Sequence, residues 1–402
     1  MRSSDLSSVL PSALPPTGHP AIDWAARHMP LLDASFADVG HLFDGLHLGV
    51  SIHVEPKTAV LCRRLLAAGA RVTITGNIGT TVPDTVEALR DLGATVLGGR
   101  DDTPAQRAEH LERILAAEPD LILDNGGDLI TRLTQGAPRS PRFLGATEET
   151  TTGGLRLRQL ASLPDFPVVV INDSRLKLLV ENEFGVGQSI VQGFMNATNL
   201  MVPGARAGVV GYGPCGKGVA DTLRALGARV TVAELDPFRA LDALLRGHEV
   251  ADLPDLLAAC DLVFLATGAR DVIGAAELEH LRDGAVLAGV GHDGREIDRV
   301  ALTAATAETS TLSAAGQDRD ARVLYRLRDG REIVLLHDTH MLNLTAASGN
   351  PIQAMDLGFA LQARSLAAIV AGQAGPAGVS AVPEPVDRVL ATSLVGLLSG
   401  GR

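Results

Sequence analysis

The sequence predicts an α/β protein of two doubly wound, Rossmann-like domains, and three observations carry that expectation. Strand-like and helix-like patterns alternate from about residue 46, the alternation restarts in clearer form near residue 205, and a glycine-rich turn joins the first strand of that second cycle to its helix. The chain has 402 residues, enough for two or three domains of ~100–200 residues. At 46% hydrophobic and 20% charged it has an ordinary globular composition, which excludes a disulfide miniprotein or a disordered tail.

Taken in order, MRSSDLSSVLPSALPPTG is rich in Ser and Pro and lacks a continuous apolar core, so residues 1–20 read as a flexible leader rather than a signal peptide. The first cycle runs LHLGVSI (strand), KTAVLCRRLLAAG (helix), RVTITG, TVEALRDLG, ATVLGG, AQRAEHLERILAAE and LILDNGG, ending at the strand PVVVIND. Between the last two, ATEETTTGG reads as a loop with Glu148 and Glu149 at a helix start. LKLLVENEFGVGQSIVQGFMNATNLM reads as one long helix. The second cycle gives strand, glycine turn, helix, strand and an acidic residue in ARAGVVGYGPCGKGVADTLRALGARVTVAELDP, with further strands at LVFLATG, AVLAGVGH and IVLLHDT. After Asn343 the pattern returns to helix at MDLGFALQARSLAAIVAG and closes with a Gly/Pro-rich stretch and one short helix.

A net charge of −12 without any run of Lys or Arg argues against nucleic acid as a partner. The three cysteines, Cys62, Cys215 and Cys260, are widely spaced and form no CxxC pair, so neither a disulfide framework nor a metal site is expected, and a reducing cytoplasm fits. No ~18-residue apolar stretch predicts a membrane span. Of the 35 basic residues only Lys57, Lys177 and Lys217 are lysine. Where nearly every tolerant position has become Arg, a surviving compact amine that can release its proton invites a chemical reason.

Gly211, Gly213 and Gly216 form GxGxxG between strand and helix, the turn that brings backbone and a helix N-terminus to a pyrophosphate. Glu234 ends the next strand, where a carboxylate accepts from ribose hydroxyls and repels a 2′-phosphate. NAD is therefore the expected cofactor, with Arg239 the one feature that keeps NADP open. Lys177 and Glu181 stand at i and i+4, the spacing of a solvated ion pair. His53 and His292 each follow a predicted strand, where ligands of open α/β sheets collect.

Together SIHVEPKTAVL, GNIGTT, LILDNGGDL, ATEETTTGG, INDSRLKLLVEN, GYGPCGKGVA, VGHDGREID, MLNL and GNP before IQAMDLGFALQ, in that order from Trp24 to about Ser380, make the chain resemble the S-adenosyl-L-homocysteine hydrolase family. The resemblance implies a substrate domain over 21–182, a NAD domain over 183–342 inserted in it across a cleft, and a segment over 343–402 returning to the substrate domain. It implies hydrolysis of S-adenosyl-L-homocysteine, or a close purine-nucleoside thioether, by 3′-oxidation, loss of the acidified C4′ proton, elimination of the thiol, water addition and reduction. It also implies a homo-oligomer.

By the same resemblance Lys177 supports 3′-oxidation, Glu149 binds ribose hydroxyls, and His53 assists water or thiol at C5′. Asn125 and Glu181 complete the catalytic set with His292, which faces cofactor and substrate. Thr150, Thr151, Thr152 and Asn182 reach the cofactor, and Asn343 holds the nicotinamide amide. Pro214, Cys215, Lys217 and Gly218 join the three glycines, Glu234, Arg239, Val290 and Gly291 on the cofactor side. Glu55, Lys57 and Thr58 lie where the family reads the purine, and Asn350 and Met355 near the purine and the cleft entrance.

Several positions depart from the family. Asn125 stands where the family has a catalytic Asp, and an amide cannot cycle a proton near neutral pH, so Asp124, His53 or Glu55 must take over or elimination is slow. Glu181 replaces Asp, Asn350 replaces His, the Phe after His292 is missing, Arg239 replaces Asn, and the family's C-terminal Lys/Tyr tail is absent, which weakens the expectation of tight NAD retention and of a tetramer. Lys57 is donor-only; aimed at the base it suits the O6 of hypoxanthine, and paired with Glu55 outside the pocket it reads nothing. The alternatives are 3′-redox, elimination or epimerisation of another purine nucleoside such as an inosine derivative, or a non-catalytic NAD- or nucleoside-binding regulator.

Overall fold

In the computed structural model, residues 14–291, 294–314, 318 and 320–400 are described. The chain divides into two compact units: one ends at Leu178 and resumes at Ile352, and the other runs Leu179–Pro351. The described strands in chain order are β1 (His47–Ser51), β2 (Arg71–Thr75), β3 (Thr95–Leu97), β4 (Leu121–Asp124), β5 (Gly145–Glu148), β6 (Pro167–Val170), β7 (Arg206–Val210), β8 (Arg229–Ala233), β9 (Glu249–Val250), β10 (Leu262–Leu265), β11 (Ala285–Gly289), β12 (Thr306–Thr311), β13 (Val323–Leu327), β14 (Glu332–Leu335) and β15 (Gly378–Ala381).

The first sheet has the order β3-β2-β1-β4-β5-β6-β15 and is parallel throughout. The second has the order β9-β8-β7-β10-β11-β14-β13-β12, parallel as far as β14 and then closed by an antiparallel hairpin. Both therefore carry the 3-2-1-4-5-6 order of a doubly wound dinucleotide fold, with a switch point between β1 and β4 in one and between β7 and β10 in the other. The central strands HLGVS, LILD and LVFL are buried along their whole length, because helices cover both faces of a parallel sheet.

Four local expectations are corrected. ATEETTTGG is not a loop: Gly145–Glu148 is the strand β5, and the helix starts at Thr151, because Thr150 rather than a glutamate caps it, accepting from Gly153 N at 2.9 Å. The expected long helix is three pieces: a turn at Arg175–Lys177, a π-helical run at Leu178–Gly185, and an α-helix at Val186–Thr198. The hairpin β12–β13 and the edge strand β15 escaped the periodicity, since TAETST is almost wholly exposed and GVSA is short and only half-buried. The closing helix, Glu384–Leu398, has 15 residues and is not short. Of the expected leader, residues 1–13 lie outside the described residues, and a helix starts at Pro20. No described helix is long and apolar enough to cross a membrane.

Candidate active site

The carboxyl ends of β5, β4, β1 and β2 form one edge of the first sheet, and most of the substrate-side candidates stand on it. Glu149 follows β5 directly and is buried. One of its carboxylate oxygens takes the buried Lys177 ammonium, and the other takes the side-chain amide of Gln362, on the helix Ile352–Val370. Lys177 is placed by Ser174, whose hydroxyl accepts from Lys177 N at 3.0 Å and donates to Asp387 at 2.6 Å. Lys177 thus pairs with Glu149 within the first unit, and in the second unit Glu181 Oε1 accepts from Asn350 Nδ2 at 3.3 Å.

At the switch point, His53 Nδ1 meets Thr80 Oγ1 at 2.7 Å, and His53 Nε2 lies 3.4 Å from Asn77 Nδ2. Asn77 also donates to Asn125 Oδ1 at 3.4 Å and accepts from Arg107 Nη2 at 2.7 Å. Asp124 cannot stand in for the missing acid. Its oxygens accept from the backbone N–H of Asn125, Leu129 and Ile130 at 3.0, 2.7 and 3.0 Å, which commits it to the start of the helix Asp128–Thr134. Burial, against these donors, pushes its carboxyl up to about 6. Glu148 is tied in the same way to Gly126 N, Gly127 N and the Thr150 backbone and hydroxyl.

Lys57 and Glu55 form an ion pair of 2.7 Å with side chains only 6% and 12% exposed, so the pair is internal and not a surface contact. Burial raises the Glu55 carboxyl above its ordinary value, and Lys57 opposes the shift. Thr58 donates to His53 O at 2.6 Å and so fixes the His53 backbone, while Met355 is buried on the helix that carries Gln362. Thr151 accepts from Asn172 at 2.6 Å, and Thr152 lies beside Thr150, 3.4 Å between hydroxyl oxygens.

In the second unit Gly211 has φ 92° and leads into Pro214–Ala225. A Cβ on Gly211 would stand 2.9 Å from Ala266 O, and one on Gly216 would stand 2.0 Å from Gly211 O. A Cβ on Gly213 would meet only Arg239 Nη1, at 3.7 Å, so the middle glycine leaves a cradle at the helix N-terminus with a guanidinium over it. Glu234 is oriented by Tyr212 N, Leu235 N and Asp236 N at 2.7, 2.7 and 2.9 Å. Asn343 donates to Asn350 Oδ1 at 2.9 Å, while its own buried Oδ1 has no partner among the described residues, which suits a carboxamide donor. Cradle, carboxylate and orphaned amide oxygen together fit a nicotinamide dinucleotide.

The family model "S-adenosyl-L-homocysteine hydrolase, NAD binding domain" matches residues 182–349, and "S-adenosyl-L-homocysteine hydrolase" matches residues 11–144. The chain is 39% identical to the S-inosyl-L-homocysteine hydrolase of Methanopyrus kandleri over 94% of its length and 90% of that protein. It is 38% identical to the adenosylhomocysteinase of Thermococcus kodakarensis over 88% and 84%, and 39% identical to that of Archaeoglobus fulgidus over 93% and 92%. The chain belongs to the S-adenosyl-L-homocysteine hydrolase family. It is thus an NAD-dependent thioether hydrolase by family, whose relatives divide between adenosyl and inosyl substrates.

Within this family fold the candidates fall into two groups. His53, Glu55, Lys57, Thr58, Asn125, Glu149, Thr150, Thr151, Thr152, Lys177 and Met355 lie in the first unit, and Glu181, Asn182, the glycine turn, Glu234, Arg239, Val290, Gly291, Asn343 and Asn350 in the second. His292 lies outside the described residues. Lys217 pairs with Asp242 at 3.0 Å, and a Cβ on Gly218 would stand 1.7 Å from Glu183 O, so this end of the motif seats the helix on its neighbour. Cys215 is half-buried against the core, and Pro214 opens the helix. Sequence reasoning missed Asn77, Arg107 and Gln362. Arg107 could have been found as a basic residue at helical spacing from Leu111, Ile114 and Leu115, the buried face of its helix, but Gln362 reads as part of an apolar stripe.

Proposed function

We propose that the protein hydrolyses the 5′-thioether of a purine-nucleoside homocysteine conjugate and that, of the two purines borne by its relatives' named substrates, it favours hypoxanthine. The observation that carries the base preference is the internal Lys57–Glu55 pair. An ammonium only donates, so it matches the O6 acceptor of hypoxanthine and is mismatched by the N6 amino group of adenine, while the carboxylate beside it accepts from N1–H.

Glu149 accepts from the ribose hydroxyls, and Lys177, held by that carboxylate in a buried site, takes and returns the proton of the 3′ oxygen. NAD, seated on Gly211, Gly213, Gly216, Glu234 and Asn343, supplies when bound the reversible oxidation at the 3′ carbon that acidifies the C4′ proton. With Asn125 an amide and Asp124 spent on the backbone, His53 moves the protons at C4′ and at the leaving sulfur, its ring fixed by Thr80.

Thiol release from S-inosyl- and S-adenosyl-L-homocysteine by the NAD-loaded protein tests this. The inosyl compound should be favoured by about 10- to 100-fold in kcat/KM, the cost of a mismatched polar group, and Lys57→Glu should reverse the order. An adenosyl preference that Lys57→Glu leaves untouched overturns the base reading.

A further inference from the structure

Arg107, on the helix Pro104–Ala116 that leads from β3 to β4, is 9% exposed. Its Nη2 donates to two neutral acceptors, Ser51 Oγ at 3.0 Å and Asn77 Oδ1 at 2.7 Å. Its Nη1 is sealed from water and has no partner among the described residues. Asp128 comes to 3.9 Å but already pairs with Arg156 at 2.8 Å. Asp124 and Asp102 act on Arg107 through space, but Asp124 is held by Leu129 N and Ile130 N, and Asp102 lies 3.3 Å from His110. A buried guanidinium whose direct hydrogen-bond partners are neutral, and whose acids are all engaged elsewhere, is under-compensated, and such a charge is ordinarily tolerated only with an anion close by. Asn125, reached from Arg107 through Asn77, supplies no negative charge.

The place matters as much as the charge. Ser51 ends β1, Asn125 follows β4, and the two strands flank the switch point where doubly wound sheets take their ligands. The switch point lies one to two strand spacings, about 5–10 Å, from the end of β5 and Glu149. A four-carbon amino acid attached at C5′ covers that span.

We propose that Arg107 makes the switch point of the first sheet an anion-recognising subsite that takes the carboxylate of the 5′-substituent, in this reading the α-carboxylate of the homocysteine moiety. The inference rests on the nucleoside-thioether reading and adds to it the group that selects the 5′ side. A planar guanidinium binds a carboxylate through two parallel N–H donors, which an ammonium cannot reproduce.

The test is equilibrium titration of the NADH-loaded protein, whose reduced cofactor cannot begin 3′-oxidation, with S-inosyl-L-homocysteine, its α-carboxamide and 5′-methylthioinosine. The carboxylate should bind about 10- to 100-fold more tightly than the two ligands that lack it, the range for a hydrogen bond to a charged group. Arg107→Gln should bring the three ligands within about threefold of one another without weakening the two that lack the carboxylate, and Arg107→Lys should keep part of the preference. If Arg107→Gln weakens all three ligands alike, the residue is structural and the subsite is refuted. Wild-type protein that binds all three equally refutes the subsite and leaves the nucleoside reading standing; protein that binds none refutes both.

Discussion

The two sheets share a strand order but treat their switch points in opposite ways. In the second sheet the gap between β7 and β10 is lined by backbone: Gly211 packs against Ala266, Gly216 packs against Gly211, and Gly213 leaves space over a helix N-terminus. In the first sheet the corresponding gap between β1 and β4 is lined by polar side chains, the titratable His53, the charged Arg107 and the amides Asn77 and Asn125 between them. A backbone-lined edge suits a ligand held by shape and amide donors, whereas a side-chain-lined edge suits proton movement and recognition of a variable group. One topology thus supplies a holder and a reactor, and the distinction can be broken experimentally at either edge.

The largest effect is expected at the reactor. Lys177→Ala removes one partner of a buried ion pair, leaving Glu149 with Gln362 alone. Reduction of bound NAD on addition of nucleoside, followed by its absorbance, should fall by at least about a thousandfold, near the upper end for a positioned acid or base. Stability should fall by about 3–5 kcal/mol from the unpaired charge. The double variant Lys177→Met with Glu149→Gln separates the two, since it should recover most of the stability and none of the activity. Unchanged cofactor reduction in Lys177→Ala would remove the proposed role.

At the holder, two glycines should respond differently. Gly216→Ala puts a methyl 2.0 Å from Gly211 O, a clash with backbone that only movement of the turn relieves, so both folding and NAD binding should suffer. Gly213→Ala meets only Arg239 Nη1 at 3.7 Å, so the unliganded protein should keep its stability within about 0.5 kcal/mol. Its NAD affinity should nonetheless drop about tenfold or more, because the methyl occupies the approach to the pyrophosphate. Thermal melting with and without NAD reads both quantities in one experiment. Equal stability losses in the two variants would show that the middle glycine serves packing alone.

How much of this was legible in the sequence follows the same division. The holder was readable because glycine turns have a backbone cause: a positive φ at Gly211 and a close approach at Gly216 leave little choice of residue. Lys177 was singled out by its rarity and by motif resemblance, but its pairing with Glu149 was not foreseen. Local spacing points to Glu181 at i+4, and nothing local points to Glu149, 28 positions earlier, which tertiary packing brings to Lys177. Gln362 was hidden because nothing local marks a polar residue whose partner is brought by tertiary packing. The loop assignment at 146–154 failed because a four-residue strand ending in Glu is too short for period-two alternation to show.

Asn125 offers a gain instead of a loss. Asn125→Asp places a carboxylate beside Asn77, two contacts from Arg107, and supplies the group that can take a proton near C4′. Thiol release should rise about tenfold, toward the lower end for a general base, with a new limb in the pH–rate profile. If Arg107 also receives the substrate carboxylate, the new acid should compete with it and raise KM for the carboxylate ligand alone. A rate unchanged by Asn125→Asp would mean that His53 already carries the proton and that the amide at 125 costs nothing.

The smallest effect concerns stability, and it too separates the units. The first unit buries several carboxyls raised by desolvation: Asp124 to about 6, Asp356 to about 7 and Glu148 to about 8. A carboxyl whose folded value lies above its unfolded value holds its proton in the native state and releases it on unfolding, so stability falls as pH rises from the unfolded value to the folded one. Asp356 accepts from Leu31 N at 3.0 Å and Leu32 N at 2.8 Å, joining the helix Ile352–Val370 to the start of Pro30–Val39. Asp356→Asn cannot titrate, so its denaturation midpoint should lose part of the decline the wild type shows between about pH 4 and 7. It should also cost about 1 kcal/mol for the backbone donor that the amide NH2 cannot accept. A wild-type profile that is flat over that interval, or one that Asp356→Asn leaves unchanged, would show that the two backbone donors outweigh burial and keep this carboxylate ionised.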